Sequence, residues 1–139
     1  MTANETSAIA SLMATRSAQA AYSASCGNGF YAASYLILGT PAEAGELPFI
    51  AADLGSAMEP LKPGYRLTLG AGVDNAVGPN DCMAVANPTN STFYATAVPL
   101  TFGETGSRSF ATNADNEIWQ QSAAEAPAEP FGAPATLLR

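Results

Sequence analysis

The chain has no histidine, only two cysteines, and five basic residues in 139. Each shortage removes a class of function. Without histidine the commonest general base and zinc ligand is missing, and Ser–His or Cys–His nucleophilic pairs cannot form within one chain. The five basic residues are scattered through a chain of net charge −7. They form no cluster able to displace counterions from nucleic acid or to hold a membrane surface. No run approaches the roughly 18 apolar residues of a membrane span. No stretch reads as a signal peptide, so any exporting segment is expected to lie outside this sequence. There is no G-x-S-x-G and no phosphate-binding loop. Residues 70–78, GAGVDNAVG, contain G-x-G, but no third glycine or helix follows at the required spacing. The expectation is a protein that is not an enzyme and holds no cofactor.

What is present is small and uncharged. Hydrophobic residues make up 47% of the chain, but many are alanine, and charged residues are only 12%. That is well under the usual quarter. An Ala/Gly/Ser/Thr-rich surface suits an extracellular protein or a packed assembly. The length allows one domain with a modest core. Cys26 and Cys82 cannot form a metal site by themselves. One disulfide between them is the natural reading for an exported domain, with two unrelated buried thiols as the alternative.

From Asn4 to Cys26 the chain runs without Pro or Gly and is rich in helix formers. Thr2 and Glu5 fit a capping box, and Gly27 and Gly29 supply the stop. Ile9, Leu12, Met13, Arg16 and Ala20 follow helical spacing, so this stripe is expected to face a core. A loop region, 27–64, follows. It holds one short helix over Ala32–Leu38 and another after Pro48, within 49–58. Alternation then predicts antiparallel strands near 65–69, 93–98, 107–112 and 117–120. Residues 70–92 read as irregular. The helix should bury its large residues on Leu67, Tyr94, Phe110 and Ile118. From Ser122 the chain turns Ala- and Pro-rich, so 122–139 is expected to be a loosely packed or disordered tail beyond a domain of residues 1–121. One long helix on a three- to four-stranded antiparallel sheet is an α+β two-layer domain.

Oxygen-bearing loops invite calcium. Asp74, Asn75, Asn80 and Asp81 share one Gly-rich loop, and Asn113, Asp115 and Asn116 another. Neither matches the EF-hand spacing, and turn formation by Asx residues accounts for both; no metal site is assigned. Asn90-Ser91-Thr92 fits the N-glycosylation pattern, which is common by chance in such a composition. Carboxylates could serve a glycosidase, but no spacing singles out a pair among the twelve acidic residues. Trp119 and Tyr94 read as core or sheet-face aromatics.

Residues 4–41, NETSAIASLMATRSAQAAYSASCGNGFYAASYLILGTP, resemble the segment that follows the hydrophobic N-terminal half-helix of type IV pilin-like proteins and type II secretion pseudopilins. Residues 94–119, YATAVPLTFGETGSRSFATNADNEIW, resemble the closing strands of the same family. The family's peptidase site and apolar half-helix have no counterpart here, so the resemblance implies a soluble domain whose membrane half was removed or is supplied by a separate chain. It also implies a structural filament subunit. Its partners would be other pilin or pseudopilin subunits, met through the N-terminal helix, and membrane contact would come only through the missing segment. Nucleic acid is not an expected partner. The location implied is periplasmic or extracellular. As it stands, the chain is expected to be monomeric. The rival reading is a small secreted carbohydrate- or protein-binding module.

Overall fold

A computed structural model describes residues 2–138. Helix α1 runs Thr2–Ser25, followed by two single-turn helices, α2 at Tyr35–Leu38 and α3 at Ala52–Gly55. The strands are β1 Leu61–Lys62, β2 Tyr65–Gly70, β3 Val77–Asn80, β4 Pro88–Asn90, β5 Tyr94–Pro99, β6 Ser109–Asn113, β7 Ile118–Gln121 and β8 Thr136–Leu137. Six form one antiparallel sheet in the order β1-β2-β5-β6-β7-β8, and β3 pairs with β4 in a separate ribbon. The architecture is α+β, with one long N-terminal helix on an antiparallel sheet. The sheet has six strands rather than three or four. The additions are a two-residue strand at each edge, which no sequence window of useful length could register.

The four expected strands lie within one or two residues of their predicted places. The ribbon at 77–80 and 88–90 replaces an expected irregular stretch. Pro79 and Pro88 masked it, yet both sit where a two-stranded ribbon tolerates a missing donor. Tyr31 extends the ribbon, exchanging backbone hydrogen bonds with Asn90 at 2.8 and 3.0 Å. The α2 helix is shorter than predicted. Ser34, extended, caps it by accepting from the Ile37 amide at 3.2 Å.

Cross-strand register assigns the faces, because opposed residues share a side. Tyr65, Leu67, Ala95, Ala97, Phe110 and Ile118 face α1 and are buried. Small Ala95 and Ala97 on the central strand let the helix approach closely. Tyr94, Thr96, Ala111 and Trp119 face the other way. Tyr94 therefore does not pack under the helix, contrary to expectation. The Ala/Pro-rich segment from Ser122 covers that outer face instead of lying loose. Phe131 stacks on Trp119 with centroids 5.5 Å apart, the Tyr94 hydroxyl donates to the Pro127 carbonyl, and Thr136–Leu137 joins the sheet edge. Of the predicted tail, Arg139 lies outside the described residues.

The stripe that α1 buries also differs from the expected one. Met13 is 49% exposed and Ala20 is exposed. The buried positions are Glu5, Ala8, Ser11, Leu12, Thr15, Ala18, Gln19 and Tyr22. These recur every three, four and seven residues, so the period is helical. Half of them are polar, and a search for apolar periodicity slid to the neighbouring face.

Candidate functional site

Polar contacts fix α1 from one end to the other. At its start the Glu5 carboxylate, buried, accepts from the Ser107 amide at 3.0 Å and hydroxyl at 3.2 Å and pairs with Arg108 at 3.3 Å. Burial alone would raise the Glu5 pKa; the Ser107 and Arg108 donors outweigh it and hold the carboxyl below its ordinary value. Arg108 also bonds Gln120 and lies 5.1 Å from the Phe110 ring centroid. The expected capping box does not form, since Thr2 is already helical and Glu5 is engaged across the domain.

Mid-helix, the Thr15 hydroxyl donates to the Ser11 carbonyl and lies 2.8 Å from the Tyr35 hydroxyl. Burial pushes the Tyr35 phenol up to about 12. Gln19 makes a two-way clamp. Its Nε2 donates to the Ala32 carbonyl at 2.9 Å, and its Oε1 accepts from the Ala32 amide at 2.8 Å. That satisfies both backbone groups of a fully buried residue.

At the far end Cys26 and Cys82 are joined in a disulfide. The Cys82 amide donates to the Cys26 carbonyl at 3.0 Å. One residue before it, Asp81 organises the loop that follows. Oδ1 accepts from the amides of Met83 and Asn87 at 3.1 and 3.2 Å. Oδ2 accepts from Asn87 Nδ2 at 3.0 Å and from the Tyr22 hydroxyl at 2.6 Å. Burial opposes ionisation of Asp81, but Tyr22, Asn87 and the Met83 amide prevail and lower its pKa. The Tyr22 phenol is raised, by burial first, then by its hydrogen bond to Asp81 and by the Asp81 charge. Gly27 is required here by space: a Cβ would stand 2.2 Å from the Phe30 carbonyl oxygen and 2.8 Å from the Tyr22 ring.

The Asp81 loop forms one wall of a surface groove of about 720 Å³. Met83, Ala84 and Val85 line one side, and Leu36, Ile37 and Pro41 the other. Val85 is 83% exposed. Cys82 and Glu43 line this groove and a smaller cavity of about 390 Å³ beside it.

The calcium candidates are dispersed or committed elsewhere. Asp81 is saturated as described. Asn75 bonds Asn90 and Thr92, while Asp74 holds a positive φ of 57° in a turn. Asn113 accepts from the Asp115 amide and donates to Glu129, and Asn116, at φ 64°, gives its carbonyl to Arg16. These are turn-building roles. Among the described residues no three His, Cys, Asp or Glu side chains group as metal ligands. Asn90 stands in β4, not in a loop, and its side-chain oxygen accepts from Asn75. Sequence reasoning missed Glu5, Gln19 and Asp81 as structural hubs. Only their polarity amid helix or loop residues marked them, and that is a weak signal.

No family model, curated protein or solved structure matches this chain. Among the described residues no helix is long and apolar enough to cross a membrane.

Proposed function

We propose that this chain is the globular domain of a pilin or pseudopilin, a structural subunit of a type IV pilus or type II secretion-like filament. The carrying observation is the outer face of α1. The helix has 24 residues, about 36 Å at 1.5 Å per residue, and closes its own sheet with one face. Its exposed residues are Thr2, Ala3, Thr6, Ala10, Met13, Ala14, Ser17, Ala20, Ala21, Ala24 and Ser25, none of them charged. A face so small and neutral suits contact with neighbouring subunits better than open solvent. Repeated head-to-tail contacts that do not close generate a helical filament. The disulfide fits a periplasmic or extracellular home. The role is structural, with no reaction assigned.

The test is an Ala14→Arg substitution in the native gene. The isolated domain should fold as before, because Ala14 is exposed. Filaments sheared from the source cells should lose the subunit. Continued incorporation of the variant would overturn the reading. By itself the chain should sediment as a monomer near 14.2 kDa.

The groove beside Cys82 favours the second reading, a small secreted binding module. That reading predicts a conventional cleaved leader upstream of Met1. The filament reading predicts a peptidase site followed by about 20 apolar residues.

A further inference from the structure

We infer that Cys82 is the exchange-active sulfur of this protein, the atom through which its disulfide is both made and opened. The two halves of the bond are not equivalent. Cys26 is 3% exposed, directly after the last turn of α1, and its carbonyl accepts from the amide of Cys82 in the loop after β3. Cys82 is exposed and lines two adjoining cavities, of about 720 and 390 Å³. An incoming sulfur therefore has room to reach Cys82 and none to reach Cys26. The Cys82 loop is also held by a second, non-covalent device. Three carboxylate hydrogen bonds of Asp81, to Met83 and Asn87, and the Asp81 amide bond to the Asn87 carbonyl close residues 81–87 on themselves, and a fourth carboxylate bond, from Tyr22, ties that ring to α1. With the disulfide open, that ring still presents Cys82 to the groove.

The reaction is ordinary thiol–disulfide exchange with a small or protein disulfide, RSSR, as oxidant. The Cys82 thiolate attacks one sulfur of RSSR, forming Cys82–S–S–R and releasing RS⁻. Cys26 gives its proton to solvent and attacks Cys82 Sγ, closing Cys26–Cys82 and releasing the second RS⁻. Opening runs in reverse, with an external thiolate attacking Cys82 Sγ and Cys26 departing. A Cys26 thiolate would be buried at the carbonyl-rich end of a helix, where negative charge is disfavoured. Because Cys26 is the sulfur that departs when Cys82 is attacked, its burial slows opening relative to closure. Charge selects the reagent as well. Glu43 lines both cavities and Glu46 the smaller, and no basic side chain lines either. A cationic disulfide is favoured over an anionic one.

The experiment begins with the reduced wild-type protein, given a brief pulse of cystamine or oxidised glutathione, quenched by alkylation and mapped by mass. The mixed disulfide is expected on Cys82, and cystamine is expected to react faster, an advantage that shrinks with salt and in Glu43→Gln. The single variants Cys26→Ser and Cys82→Ser, each with one thiol left, give rates. Cys82 should be modified at least about tenfold faster than Cys26 in the folded state, the two rates converging in denaturant. Mixed disulfide found first on Cys26, or equal rates in the folded proteins, would overturn the assignment. If the single variants do not fold, the wild-type mapping decides it alone.

Discussion

On one side of the sheet α1 lies over Tyr65, Leu67, Phe110 and Ile118 and sends Glu5, Thr15, Gln19 and Tyr22 to fixed polar partners. On the other side residues 122–135 cover Tyr94, Ala111 and Trp119. They are held by the Phe131 stack on Trp119, by the Tyr94 and Ser109 hydroxyls donating to the Pro127 and Ala123 carbonyls, and by Glu129, which accepts from the Val73 amide and from Asn113. The helix side is the tighter layer, where Glu5, Thr15, Gln19 and Tyr22 are each buried and each bonded to a specific partner. The outer side is half open: Trp119 and Phe131 are only partly buried. A hydrogen bond lost on the tighter side leaves its partner stranded, whereas one lost on the open side is replaced by water. Changes that look alike on paper should therefore differ by side.

The largest effect is expected at the covalent end of the helix side. Replacing Cys26 and Cys82 together by serine should cost about 4 kcal/mol in the chain-entropy model for a loop closed across 56 residues. A urea or guanidinium titration measures it. A loss under half of that would mean the Asp81 ring already fixes the far end of α1 without the bond.

Next comes Gln19→Leu, which keeps the volume and adds apolar surface. It should still destabilise by about 2–3 kcal/mol, because the buried amide and carbonyl of Ala32 lose their only side-chain partners. Were the layer driven by apolar contact alone, this substitution would be neutral or stabilising. Phe131→Ala should cost less, about 1–2 kcal/mol, removing a half-exposed stack on Trp119. Equal losses at Gln19 and Phe131 would break the contrast between the two sides.

The same contrast decides what could be read from the sequence. The fold class, the long helix and its Gly stop, and four central strands were legible, since each rests on local propensity or alternation over several residues. The disulfide was legible because two cysteines in an exported-looking chain leave few other uses. The helix face was not. Thr15 and Gln19 look like solvent residues until their partners, Tyr35 and Ala32, are brought near by the fold. The C-terminal segment misled for the opposite reason. Its Ala and Pro read as unable to build a core, and indeed it builds none. It covers a face already made by Tyr94, Ala111 and Trp119, so one Phe131 suffices. Asp81 was considered for calcium because it carries a charge in an Asx-rich loop, when its four bonds are all made within the chain.

The smallest expected effect is the dependence on acid, and it too belongs to the tighter side. Glu5 and Asp81 both have pKa values lowered on folding, from ordinary values of 4.5 and 3.8. A carboxylate whose pKa is lower in the folded state is protonated first in the unfolded chain. Its contribution is therefore complete above its ordinary value and is lost as pH falls through the folded one. Stability should be flat from neutral pH down to about 5 and decline below that. Glu5→Gln should be less stable at neutral pH and should show a shallower decline, since it removes one of the two titrating groups while keeping a side chain of similar shape. The cost at Glu5 is tempered because Arg108, one-third exposed, keeps Gln120 and the face of Phe110 when the carboxylate is neutralised. Asp81→Asn should flatten the remaining decline at a greater cost, because an amide replaces one acceptor oxygen with a donor facing the Tyr22 hydroxyl or the loop amides. Urea midpoints for the wild type and both variants, taken from neutral pH to about pH 3, give the comparison. If the double substitution left the acid decline as steep as in the wild type, the lowered carboxylates at the two ends of α1 would not be its source. Acid sensitivity would then have to come from carboxylates elsewhere in the chain, such as Asp53 beside Lys62.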